Sequence, residues 1–156
     1  MAVISMPSTH SLVKTLQQDH PTISFVASDQ YEWTPASRTL QYRDEPTGAP
    51  FILHELAHAL LGHSSYKRDI ELIRIEQEAW QHARTTLASR YAIPIEEEVV
   101  EQSLDTYRSW LHQRSTCPHC TATGVQKERF IYNCAACGAQ WRVNEAKLCA
   151  LRRYTA

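Results

Sequence analysis

Hydrophobic and polar positions alternate along the chain in several distinct registers, and each register predicts an element. Leu12, Val13 and Leu16 have helical spacing. Ser8 or Thr9 is placed to cap that helix, which must stop before His20-Pro21 because a residue ahead of proline is turned away from helical conformation. Residues 22–27 read as a strand, 28–30 as a turn, and 31–33 and 38–43 as two more strands around 34–37, which together predict a small three-stranded antiparallel sheet. Residues 44–49 are a loop by composition. Pro50 suits the first turn of the apolar run behind it, and Gly62 suits its end. From Asp69, placed as a cap, a long helix runs to about Tyr91. Pro94 opens another, with Glu96, Glu97 and Glu98 in the first turn, where the helix dipole favours negative charge, and Val99, Val100, Leu104, Tyr107 and Leu111 facing inward to about Arg114. Residues 128–132 are strand-forming, and a last helix is expected from near Asn144.

The apolar run 50–63 contains His54-Glu55-Leu56-Ala57-His58, an H-E-x-x-H pattern. On a helix, His54 and His58 lie four residues apart on one face, so both imidazoles can reach one Zn²⁺, with Glu55 beside them and able to touch a water there. Leu53, Leu56 and Leu60 would anchor the opposite face in a core. A catalytic zinc site wants three protein ligands and an open fourth position. Glu71, Glu76 and Glu78 are the acidic residues available on the next helix. Leu72, Glu76, Ala79, Ala83 and Leu87 recur at spacings that make one stripe, so Glu76 points inward, whereas Glu78 shares its face with Glu71, Arg74, His82, Thr85 and Ser89. A carboxylate among apolar neighbours needs a cation. Glu76 is therefore the expected third ligand and Glu78 the next candidate, while the small Ala79 and Ala83 would let this helix approach the one carrying His54.

The cysteines add a second expected metal site. Cys117-Pro-His-Cys120 and Cys134-Ala-Ala-Cys137 are two C-x-x-C knuckles thirteen residues apart, the spacing of a zinc ribbon in which four thiolates close a tetrahedral structural Zn²⁺. Redox use of a single C-x-x-C is the alternative, and it would not call for two pairs. His119, inside the first knuckle, is not expected to be a ligand, and Cys149 reads as a packed thiol. The domains expected are 1–114, carrying H-E-x-x-H, and 115–156, the ribbon with its terminal helix. Two zinc ions per chain follow, one catalytic and one structural.

With 156 residues, 43% of them hydrophobic, the chain has enough apolar mass for a real core, and a net charge of −1 gives no global pull toward nucleic acid or anionic membranes. Charge is uneven, however. From Ser115 onward there are six basic residues, Lys127 and Arg129 among them, against two acidic ones, with Phe130, Tyr132 and Trp141 interleaved. That surface could meet a phosphate backbone, or it could dock on the acidic remainder of the chain or on a protein partner. The first seven residues lack the basic segment and apolar run of a signal peptide, and no run approaches transmembrane length, so a cytoplasmic protein without membrane contact is expected.

His54-Glu55-Leu-Ala-His58-Ala-Leu-Leu-Gly62-His63, followed by Glu76-Gln-Glu-Ala79-Trp80-Gln-His-Ala83, resembles the ImmA/IrrE-like zinc metallopeptidases, small gluzincin-type enzymes, over roughly residues 31–91. The resemblance implies an α+β fold with a zincin-like core of helices and a small sheet. It also implies cleavage of a protein or peptide substrate, with a regulator as one candidate, and it puts His54, His58 and Glu76 on zinc with Glu55 as general base. A hairpin edge, within residues 31–43, would pair with extended substrate. The family commonly has asparagine where this chain has Trp80. A zincin core joined to a carboxy-terminal ribbon is also similar to SprT-like proteins, which act on DNA-associated proteins, although those use a third histidine further downstream. For an oxyanion donor, His63, Tyr66, His82 and Tyr91 are all conceivable. A non-cleaving adaptor, gripping DNA or protein through the ribbon, is the alternative function.

Overall fold

Ser8 begins the regular structure: its Oγ accepts the N–H of Ser11 at 3.1 Å and caps helix α1, Thr9–Asp19, whose Leu12, Val13 and Leu16 are buried. The computed structural model describes residues 5–144 and the backbone of 153–155. The fold is mixed α+β, with helices and two small sheets. Contacts divide the chain into two compact units, one formed by the residues up to Ser64 with Gln77–Glu97, the other by Ser65–Glu76 with the residues from Glu98 on. Among the described residues no helix is long and apolar enough to cross a membrane.

In the first unit, strands β1 (Ser24–Ala27), β2 (Glu32–Thr34) and β3 (Thr39–Tyr42) make one sheet in the order β1-β3-β2. The expectation of an all-antiparallel sheet is corrected: β2 runs antiparallel to β3, but β1 runs parallel to it. Leu40 of β3 is fully buried, whereas β1 buries no residue fully and β2 none. The strand with the apolar anchor takes the centre, so the chain after β1 crosses to the far edge before returning as β3. Four residues, 28–31, span the two strand spacings of about 10 Å that this needs.

Helix α2, Ala49–Leu61, carries Pro50 in its first turn and buries Ile52, Leu53, Leu56 and Ala57 against β2 and β3. Leu60 departs from expectation. It is 43% exposed, because it lies in the last turn, beyond the reach of the packed elements. Gly62 ends the helix at φ +71°, a left-handed conformation in which L side chains are strained. That reversal turns His63 back so that its N–H donates to the His58 carbonyl at 3.0 Å.

The long helix expected from Asp69 to Tyr91 is present but interrupted. It consists of α3 (Asp69–His82), a π-helical turn (Ala83–Leu87) and α4 (Ala88–Tyr91). Leu72, Glu76, Ala79, Ala83 and Leu87 are all buried, as their spacing predicted, and α2 packs on the π turn, where alanine permits close approach.

The second unit contains α5 (Glu97–Ser115), which buries Val100, Leu104 and Trp110, and strands β4 (Val125–Glu128), β5 (Ile131–Asn133), β6 (Gln140–Val143) and β7 (Arg153–Thr155), antiparallel throughout in that order. Residues 128–132 are thus not one strand. Glu128 ends β4, the chain turns at Arg129 and Phe130, and β5 follows, because Phe130 at φ 150° cannot continue a ladder. Cys149 and the helix expected from near Asn144 lie outside the described residues.

A buried ion pair organises this unit. Arg114 and Asp69 are each 2% exposed, and Arg114 Nε donates to Asp69 Oδ2 at 2.7 Å. The Tyr132 hydroxyl donates to the same oxygen, the Asp69 N–H donates to Gln126 Oε1 at 2.7 Å, and the Trp141 indole donates to the Arg114 carbonyl at 2.8 Å. Burial, and then the Asp69 carboxylate, push the Tyr132 phenol well above its ordinary pKa, which keeps it a donor. Asp69 is therefore more than the helix start that the sequence suggested. Asp69→Ala should lower the stability of the full chain by about 3–5 kcal/mol in urea unfolding, since it leaves the Arg114 charge buried without its partner; a loss under about 1 kcal/mol would show that the pair is replaceable by water.

Candidate metal centres

Two groups of side chains in the described residues could hold a metal ion: Cys117, Cys120, Cys134 and Cys137, and His54, Glu55 and His58, with the ligand atoms of each group within 4.8 Å of one another. These are seven of the residues predicted from sequence. Glu76, the eighth, is 6% exposed on α3 and belongs to the second unit.

The histidine centre follows from one turn of α2. Nε2 of His54 and Nε2 of His58 stand 3.1 Å apart, with the residues 5% and 9% exposed. Two nitrogens bound to one tetrahedral ion at 2.0–2.1 Å would be about 3.3 Å apart, so this convergence fits a shared cation. Glu55 sits at the rim. Its Oε2 accepts the Trp33 N–H of β2 at 2.9 Å, while Oε1 lies 4.0 Å from His54 Nε2, turned toward the same point. An edge strand thus fixes the carboxylate that the H-E-x-x-H pattern supplies.

Trp80 of α3 packs on the histidine pair. Its ring, 2% exposed, stacks on His54 with centroids 4.2 Å apart and meets Phe51 edge-on at 5.9 Å. The imidazole is held by an aromatic face. His63 was set aside as a ligand, and the structure gives it other partners: Nδ1 lies 3.0 Å from Nδ1 of His58, and Nε2 lies 3.1 Å from Oε2 of Glu78. Sequence reasoning missed this role. The signal was the left-handed residue expected at Gly62, which must fold the next side chain back over the helix end. Tyr91, one of the conceivable oxyanion donors, is buried and committed elsewhere: its hydroxyl donates to Asp19 Oδ2 at 2.8 Å and meets His20 Nε2 at 3.1 Å. Burial and that carboxylate push its pKa up to about 12.

The cysteine centre is built twice from one plan. In the first knuckle the Cys117 N–H donates to Ala122 O and the Thr121 N–H to Cys117 O; in the second, seventeen residues on, Cys134 N–H donates to Ala139 O and Gly138 N–H to Cys134 O, at 2.8–3.0 Å. Thr121 (φ 64°) and Gly138 (φ 76°) take the same left-handed position. Sγ of Cys117 lies 3.6 Å from that of Cys137, and Sγ of Cys120 lies 3.5 Å from that of Cys134, too far for disulfides. Burial pushes the Cys117 thiol up, but the N–H groups of Cys120 and His119 outweigh it and bring it down to about 6; the Cys137 N–H likewise lowers Cys134. At Cys137 the Ala139 N–H lowers the thiol, but burial and the neighbouring thiols push it up to about 12, and Cys120 is raised as well, so the backbone donors favour thiolate, the form that binds metal, at the two buried cysteines. His119 itself is exposed and contributes its backbone N–H, 3.4 Å from Cys117 Sγ. Tyr132, Trp141 and Val143 close the small apolar cluster beneath the two buried cysteines, an arrangement compatible with a zinc ribbon. Lys127 and Arg129 are exposed, with the Arg129 guanidinium 5.2 Å from the centroid of the Phe130 ring.

Comparison with protein-family models, with curated proteins and with solved structures finds no match to this chain.

Elemental analysis of the purified chain should give two equivalents of metal. Replacing His54 and His58 with alanine, or Cys120 and Cys137 with serine, should each remove one, and a wild type with a single equivalent that survives the histidine double variant would leave only the cysteine centre.

Proposed function

We propose that the chain is a zinc-dependent metallopeptidase with a zincin-like core, hydrolysing peptide bonds in a protein substrate, with a regulator as the class of substrate that the ImmA/IrrE resemblance suggests. The observation that carries the reading is the buried convergence of His54 Nε2 and His58 Nε2 beside a carboxylate anchored by a backbone N–H. Glu76 is the proposed third ligand. It is a buried carboxylate on α3, one helical turn before Trp80, whose ring rests on His54. Zinc held by these three residues supplies the Lewis acidity that polarises a peptide carbonyl and brings water toward a pKa of about 7.

The chain's own residues do the rest. Glu55 takes one proton from the attacking water as its oxygen adds to the carbonyl carbon, and delivers that proton to the amine nitrogen as the C–N bond breaks. With Oε2 held by Trp33, the carboxylate cannot swing away, and Oε1 is the oxygen that moves the proton. Trp80 and Phe51 exclude water from the back of His54. The edge strand β2 offers backbone for an extended substrate to pair with, outside the position already used by Glu55. The four-cysteine site takes a structural Zn²⁺, and a reducing cytosolic setting keeps its thiols available.

A second reading rests on the exposed Lys127 and Arg129: a non-cleaving adaptor that grips DNA or a protein through the ribbon, in the manner the SprT-like resemblance suggests. The two are separated by incubating wild type and Glu55→Gln with a peptide library and reading products by mass spectrometry. Wild type should cleave, and Glu55→Gln should keep both metals while losing about 10²–10⁴-fold in rate. A wild type that cleaves nothing, together with salt-sensitive DNA retention lost in Lys127→Ala/Arg129→Ala, would favour the adaptor.

A further inference from the structure

We propose that Glu78 and His63 form a positioning relay that sets the tautomer and ring orientation of His58; the inference rests on the metal-centre reading above. Three contacts in series carry it: Glu78 Oε2 to His63 Nε2 at 3.1 Å, His63 Nδ1 to His58 Nδ1 at 3.0 Å, and His58 Nε2 facing His54 Nε2 at 3.1 Å.

The chemistry of the donors decides the direction of every proton. An ionised carboxylate only accepts, so His63 must carry its hydrogen on Nε2 and donate it to Glu78. A neutral His63 then presents a lone pair at Nδ1. For a hydrogen bond to exist at 3.0 Å, His58 must supply the proton from its own Nδ1, and this leaves a lone pair on His58 Nε2, the atom that faces His54. A ring held in the other tautomer would aim an N–H at the metal position. The relay thus selects the ligand form of His58, holds its plane, and raises the basicity of the bound nitrogen.

The local cause is in the backbone. Gly62 at φ +71° closes the helix, and the His63 N–H bonds back to the His58 carbonyl, so the two rings are brought together by main-chain geometry before any metal is present. The His63 side chain is 13% exposed and that of Glu78 is 46% exposed, so the histidine link is the stronger one and the carboxylate link is weakened by water. Neither residue touches the reacting atoms; both act through His58.

The test uses the full chain and zinc alone, with affinity at the histidine centre read by competition against a chromophoric chelator once the cysteine centre is filled. His63→Leu should weaken zinc binding there by about 10–100-fold. His63→Asn should recover most of the loss, because its side-chain oxygen stands where Nδ1 stood and can accept from His58. Glu78→Gln should weaken binding by a smaller factor in the wild-type background and by none in His63→Leu, with the cysteine centre unchanged throughout. If His63→Leu unfolds, Glu78→Gln, at a half-exposed side chain, carries the measurement alone. Wild-type affinity in His63→Leu, an asparagine variant no better than leucine, or an equal effect of Glu78→Gln with and without His63 would each overturn the relay while leaving the metal centre intact. A His54→Ala/His58→Ala chain that binds as much zinc as wild type would overturn the centre and the relay with it.

Discussion

Charge taken out of water must be answered nearby, and that constraint runs through this molecule more than any apolar contact does. His54, His58, Asp69, Glu76 and Arg114 are buried among the described residues. Asp69 and Arg114 answer each other at 2.7 Å, and Tyr132, Gln126, Trp141 and the Asn144 carbonyl hydrogen-bond to the pair. An ion pair of that kind contributes little net stability over an apolar replacement, but it tolerates few alternative arrangements, since every misfit leaves a bare charge. The histidines are a different case. Their Nε2 atoms face each other at 3.1 Å, a disposition that suits a shared cation.

The two candidate metal centres reach their geometry by different routes. Each cysteine knuckle is six residues of chain that hydrogen-bonds to itself, and the second repeats the first bond for bond. Pairing the two needs only the β4–β5 hairpin between them, so the centre is assembled almost entirely from local structure. The histidine centre begins equally locally, with one helical turn placing His54 and His58. What surrounds it is drawn from far along the chain: Trp33 from a strand, Trp80 and Glu78 from another helix. Those partners decide which way the rings and the carboxylate point.

Periodicity and short motifs are legible in sequence because they depend on backbone geometry over four or five residues. The stripe Leu72, Glu76, Ala79, Ala83 and Leu87, the cap at Ser8, the left-handed close at Gly62 and the clustering of both candidate metal-binding motifs belong to that class, and the structure has them. Strand direction does not. Whether β1 joins β3 parallel or antiparallel depends on which strand carries the buried Leu40, a comparison across residues 24–42 that no local signal encodes. The same limit hid the hairpin turn at Phe130 and the exposure of Leu60.

The sequence by itself determined the helix of His54 and His58 and the two knuckles, since the 3.6-residue repeat and the C-x-x-C turn bring those atoms together wherever the segment lies. Only the tertiary structure decided what stands behind them. The stacking of Trp80 on His54, the N–H of Trp33 on Glu55 and the joining of Glu78 through His63 to His58 each require two segments to meet in space. Such meetings are chosen by packing of the whole unit, in which a buried polar atom accepts whichever partner the fold delivers.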